Sequence, residues 1–138
     1  MKKFLWAGRK IKLKNLEIIN ELAKEFDIDM VSNLSHAELQ EKIQECYAVI
    51  LPSYSEVCPN FILEAIYQGK PFIMTRETGL REIHNKGGIF IDPFDKTALK
   101  QGILEMLDDR KYQRYKSEIT PVHHSWDQVA KEFLNLCQ

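Results

Sequence analysis

Short apolar runs alternate along the chain with segments whose apolar residues recur every three or four positions, the signature of strands exchanging with helices. Phe4 to Gly8 (FLWAG) predicts a first strand, and Leu16, Ile19, Ala23 and Phe26 then share one helical face. Ile28 to Val31 (IDMV) predicts a second strand. The spacing of Ser35 to Glu38 fits a capping box opening a helix that carries Leu39 and Ile43. Tyr47 to Leu51 (YAVIL) is continuously apolar, as a strand covered on both faces must be, and Pro52 and Ser53 end it. Pro59 suits a first helical position, since its missing N–H costs nothing there. The helix it opens runs through Asn60 to Tyr67, and Gly69 and Pro71 stop it.

Phe72 to Met74 predicts strand four and Gly88 to Ile91 strand five, with a short helix around Arg81 to His84 between them. The remainder, 95–138, reads as helical. Leu99, Ile103, Leu104 and Leu107 share one face, and Val129, Phe133 and Leu136 share another. Trp126 and Phe133 are expected to pack into the core, with a partner surface as the lesser alternative. Repeated strand-helix alternation with short links implies an α/β fold: a three-layer, doubly wound, Rossmann-like parallel sheet of about five strands, with 1–138 as a single domain. In such a sheet ligands bind in the crevice at the carboxyl ends of the strands. That directs attention to the loops Gly8 to Asn15, Asn33 to His36, Pro52 to Pro59, Thr75 to Arg81 and Asp92 to Asp95.

Composition narrows the class without changing this picture. Hydrophobic residues at 44% and charged residues at 28% are those of a globular chain, which argues against disorder and a membrane span. The net charge of −1 gives no global reason to expect nucleic acid, although six cations, from Lys2 to Lys14, precede the first acid, Glu17. Cys46, Cys58 and Cys137 have neither paired nor metal-ligand spacing, which points to a reducing, cytoplasmic compartment. The apolar stretch near Met1 is too short for an export signal. Cys58 is expected as a small filler beside Pro59, and His84, His123 and His124 lack neighbours at metal spacing.

Glu64 is the most informative residue, because Phe61, Ile62, Leu63, Ala65 and Ile66 make its helix apolar nearly all round. A carboxylate there needs a partner. A structural arginine or backbone amides could serve, and so could the hydroxyls of a bound diol. Glu56, with seven residues between it and Glu64, lies on the loop before the same helix. It is either a second ligand contact or a solvated carboxylate. The amides of Asn60 and Phe61, at the positive end of that helix, suit an anion such as a diphosphate.

The run LPSYSEVCPNFILEAIYQGKPFIMTRETGLREI resembles the donor-site signature of the retaining group-1 glycosyltransferases of GT-B architecture. It has a Pro-Ser pair after a buried strand and two glutamates separated by seven residues with Glu-Ala at the end. Gly-Lys-Pro then precedes the next strand, and Gly-Leu-x-Glu lies beyond it. GRKIKLKN (Gly8 to Asn15) resembles the same family's Gly-Arg, four residues, Lys loop, and the likeness extends to FIDPFD and to the closing SWDQVAKEFL. The resemblance implies that Gly8, Arg9 and Lys14 hold the donor diphosphate, that Glu56 contacts the transferred sugar, and that Glu64 holds the ribose diol. It also implies that Arg9, Lys14 and Glu56 take part in transfer without a metal or other cofactor. Glu82 has either a surface role or a place near the crevice.

Family members carry a further strand and helix between the first helix and the segment from Asp27, so a strand and part of the base pocket are expected to be missing here. An acceptor-binding amino-terminal domain is also expected to be absent. The chain is then the donor-binding half of an enzyme transferring a sugar from a nucleotide-sugar with retention of configuration, incomplete for catalysis alone. Its partner is a missing domain or chain, and the full enzyme works in the cytoplasm or against the inner face of the membrane. A non-catalytic nucleotide-sugar-binding module is the alternative. A receiver-type signalling domain would want acids after the first strand, where Arg9 and Lys10 stand.

Overall fold

The computed structural model describes residues 2–119 and 126–137. Five parallel strands, β1 (Phe4–Ala7), β2 (Ile28–Val31), β3 (Ala48–Leu51), β4 (Phe72–Thr75) and β5 (Gly88–Ile91), form one sheet in the order β2-β1-β3-β4-β5. β1 and β3 are central and every residue in them is buried, which is why neither shows polar alternation. β2 pairs with β1 along all four residues, Phe4 with Ile28 through Ala7 with Val31. The segment that directly follows α1 thus supplies the edge strand beside β1.

The chain moves one way from β1 to β2 and back across β1 to reach β3. Right-handed crossovers in opposite directions put their helices on opposite faces. Helices α2 (His36–Glu45) and α3 (Asn60–Tyr67) accordingly pack together over one face. On the other, α1 (Leu16–Leu22) is joined to α4 (Lys96–Leu107) by the ion pair of Lys96 with Glu21, and the turn after α1 by that of Lys100 with Glu25.

Local chemistry sets the helix ends. The Glu38 amide donates to Ser35 Oγ (3.2 Å) and the Ser35 amide to Glu38 Oε2 (2.8 Å), completing the expected capping box. At the end of α3, Gly69 takes φ 71°. Its amide donates to Ile66 O while the Lys70 amide donates to Ala65 O, a full Schellman closure that needs a residue free to be left-handed. Pro59 is the residue before the first helical position, one place earlier than expected.

Several expectations require correction. The helix anticipated around Arg81 to His84 is a 3-10 turn over Gly79–Glu82, opened by the Thr78 hydroxyl accepting from the Leu80 amide. A second 3-10 turn, Lys12–Lys14, had no periodic signal. Tyr47 stands outside β3: its ring stacks on Tyr112 at 4.0 Å and its hydroxyl donates to Met106 O at 2.7 Å. In α4 the buried face is Leu99, Ile103 and Met106, and Leu104 is exposed. The tail from 95 contains three helices, α4, α5 (Asp109–Glu118) and α6 (Trp126–Leu136), with the Asp108 carboxylate capping α5 through the Lys111 amide. On α6, Phe133 and Leu136 are exposed and not packed in a core. The side chains of Trp126 and Val129, and the whole of His123 and His124, lie outside the described residues.

Gly88 is where the sheet and its cover leave no room for a side chain, since a Cβ there would lie 2.3 Å from the Phe72 ring. Phe72 is itself held edge-on to Phe90, with centroids 5.6 Å apart. Gly88→Ala is expected to destabilise the domain by about 1–3 kcal/mol, the usual range for an overpacked core. Urea denaturation would show this as a lower midpoint at unchanged slope.

Candidate functional site

Because the connection leaving β1 runs to the face of α1 while those leaving its neighbours β2 and β3 run to the opposite face, a crevice opens above the carboxyl ends of these strands. A cavity of about 490 Å³ lies there, within the usual range for small-ligand sites. The loop after β1 contributes Gly8, Arg9 and Lys14, and the loop after β3 contributes Glu56 and the start of α3, Asn60 and Phe61. Six of the seven residues expected to bind the donor thus surround one space. The loop after β2 supplies the opposite wall, Val31 to Leu34, and Leu39 joins it from α2. No individual residue of that wall was singled out from the sequence, although its loop was. Asn33, at φ 59°, is the one local sign of its sharp turn.

Lys14 and Glu56, 42 residues apart, meet as an ion pair with Nζ 2.5 Å from Oε1. Their side chains are only 18% and 11% accessible, so the pair is shielded from water in a way that surface pairs are not. The backbone around it is fixed from two sides. The Tyr54 amide donates to Leu13 O (3.0 Å), and the Glu56 amide donates to Glu77 O (2.9 Å), forming a short bridge to the loop after β4. Arg9 is exposed and makes no ion pair among the described residues.

Asn15 anchors this arrangement from below. Buried and left-handed (φ 58°), it donates from Nδ2 to Pro52 O (3.1 Å) and Pro93 O (2.9 Å). It thereby ties the loops after β3 and β5 to the loop after β1. Tyr54 and Phe94, carried by the tied loops, stack with centroids 5.0 Å apart.

At the start of α3, the amides of Ile62 and Leu63 both turn back to Pro59 O. The amides of Asn60 and Phe61 lie ahead of that first intrahelical bond, beside the cavity, and present the positive end of the helix to it. Glu64, one turn further in, does not line the cavity. Its Oε1 lies 3.4 Å from His36 Nδ1 on α2, and its Oε2 is buried with no hydrogen-bond partner. The partner is thus neither an arginine nor backbone amides. An unpaired buried oxygen of this kind costs about 1–3 kcal/mol or more.

The remaining candidates separate clearly. Cys58 is exposed, not a filler against Pro59, whereas Cys46 is enclosed and donates from Sγ to Ile43 O. Burial pushes the Cys46 thiol up to about 11, which keeps it protonated and unreactive. Glu82 is exposed and away from the cavity wall. His84 is partly enclosed, and burial holds its imidazole below the ordinary value. Among the described residues no three His, Cys, Asp or Glu side chains come together at metal-binding distance, and no helix is long and apolar enough to cross a membrane.

A doubly wound parallel sheet with Arg9, Lys14 and the start of α3 around a crevice at its switch point defines the Rossmann-like class of fold. Residues 3–121 match the family of glycosyl transferases group 1, and the chain belongs to that family. The D-inositol 3-phosphate glycosyltransferase of Corynebacterium urealyticum is 27% identical over 133 residues, covering 90% of this chain and 31% of that protein. An S. aureus TarM variant in complex with UDP superimposes with a TM-score of 0.73 at 15% identity, covering 98% of this chain and 35% of that one. HepE of Anabaena in complex with UDP gives 0.71 at 16% identity, covering 98% and 49%. The chain spans 27% to 31% of the length of the curated relatives it matches.

Asn15→Ala removes both donors from buried carbonyls and places a less tolerant residue at a left-handed position. The expected loss is about 1–3 kcal/mol in urea denaturation, with the change in hydrogen exchange concentrated in the loops after β3 and β5.

Proposed function

We propose that this domain binds a nucleotide-sugar and serves as the donor half of a glycosyltransferase. The observation that carries the reading is the convergence of Arg9, Lys14, Glu56 and the amino-terminal end of α3 on one cavity at the switch point. In this reading Arg9, Lys14 and the amides of Asn60 and Phe61 hold the diphosphate, close to Gly8, where no side chain obstructs its approach. The carboxylate of Glu56 accepts hydrogen bonds from hydroxyls of the transferred sugar, and Glu64 accepts them from the ribose diol.

Transfer breaks the bond between the anomeric carbon and the diphosphate oxygen. Both electrons leave with that oxygen, and a new bond forms to an acceptor hydroxyl that gives up its proton. The negative charge grows where Arg9 and Lys14 stand, so two fixed cations stabilise the leaving group without a metal. The group-1 signature adds retention of anomeric configuration. The acceptor side and the rest of the cleft belong to a second domain, a reading supported by the share of the relatives' length that lies outside this chain. We place the whole enzyme in the cytoplasm, working in solution or against the inner face of a membrane.

The first test is thermal unfolding with calorimetric titration against UDP, GDP and ADP and their sugars. A ligand at about 100 times its Kd stabilises a fold by roughly 2.7 kcal/mol, several degrees for a domain of this size. One nucleotide family is expected to do so, with Arg9→Ala expected to abolish the shift and Glu64→Ala expected to reduce it while leaving binding measurable by titration. No stabilisation by any of them at millimolar concentration would overturn the donor-site reading.

Transfer is a separate matter. The 138-residue chain is expected to give no turnover above a no-enzyme control, and addition of an acceptor domain to give turnover. Binding that persists with no transfer after that addition would identify a non-catalytic nucleotide-sugar-binding module.

A further inference from the structure

Glu64 sits one helical turn from two residues of the cavity wall, yet it is not in that wall. What stands over it is His36, the first residue of α2, held at that position by the Ser35 capping box. The imidazole is 76% accessible and the Glu64 side chain 24%, so His36 is the outer member of the pair. The contact is long, 3.4 Å from Nδ1 to Oε1, and it leaves Oε2 without any partner. A vicinal diol offers two O–H donors to one carboxylate, more than a single distant ring nitrogen provides. The second oxygen of Glu64 is the acceptor that this difference would satisfy.

We propose that His36 is a specificity-determining residue that occupies Glu64 in the free domain and gives up that place only to a ligand carrying a ribose diol. The inference rests on the donor-site reading above and goes beyond it by naming a residue of α2 as the one that competes with the diol. A nucleoside diphosphate with an intact diol exchanges the His36 contact for two shorter hydrogen bonds and satisfies Oε2. A 2′-deoxy ligand cannot offer that exchange. It binds with His36 still seated on Glu64, so its affinity is insensitive to residue 36. The side chain is exposed and not part of the core, so its replacement tests the contact and not the fold.

The experiment is a double-mutant cycle on the 138-residue chain, read by calorimetric titration. The probes are whichever of UDP, GDP and ADP binds the wild type, together with its 2′-deoxy counterpart. His36→Ala is expected to tighten the ribonucleotide roughly three- to tenfold, the scale of one polar contact released, and to leave the 2′-deoxynucleotide within about twofold. His36→Gln, which still presents an N–H, is expected to stay near wild type. In a Glu64→Ala background, His36→Ala is expected to have no effect, giving a coupling that distant sites do not show. Weaker or unchanged ribonucleotide binding in His36→Ala, an equal effect on both probes, or an effect that persists without Glu64 would each overturn the proposal while leaving the donor site standing. A wild-type chain that binds none of the three diphosphates would overturn both.

Discussion

The reversal of strand order at β1 is the constraint on which the rest of the molecule depends. With β2 on one side and β3 on the other, the chain has to leave β1 in one direction and return across it in the other. Right-handed crossovers then send α1 to one face and α2 and α3 to the other. The space above β1 is what these diverging connections leave uncovered. Loops with no sequence proximity meet there: Gly8 and Arg9, Asn33 and Leu34, and Glu56 with the start of α3. Asn15 ties the loops together, because its one side-chain nitrogen donates to the carbonyls of both Pro52 and Pro93.

Two carboxylates at and beside this site have side-chain neighbours within the domain. Lys14 pairs with Glu56 in a shielded environment, and His36 stands on Glu64. Such pairs keep charged groups near an apolar sheet from carrying the full cost of desolvation. An anion or hydroxyl brought to these groups has to displace one of those contacts. Arg9, exposed, and the leading amides of α3 are the groups that meet an anion without first releasing a partner within the described residues.

The continuity of the sheet is instructive in the same physical sense. The segment Ile28 to Val31 follows α1 directly and pairs with β1 over its whole length. The crevice wall formed by Val31 to Leu34 and Leu39 is the product of that pairing.

Much of the fold was legible in the residues. β2 and β5 were bounded by their runs, and α3 was bounded by Pro59 and Gly69. The capping box was written in Ser35 and Glu38, and the loops at the strand ends could be named before any coordinate. These features are local, set by side-chain period and backbone preference, and the chain carries them wherever it folds. The group-1 signature around Glu56 and Glu64 was equally plain as a string of residue types. The sequence could not show which of those residues touch. The Lys14 to Glu56 pair spans 42 positions, the Asn15 bonds span 37 and 78, and the His36 to Glu64 contact joins two helices. Nothing in a local pattern encodes a distance across the sheet. The exposure of Leu104, Phe133 and Leu136 had the same origin, since a period says which residues share a face but not whether anything covers it. Residue types determined what this chain could bind. The packing of helices against the two faces decided which of those residues stand at the cavity and which, like Glu64, wait behind another side chain.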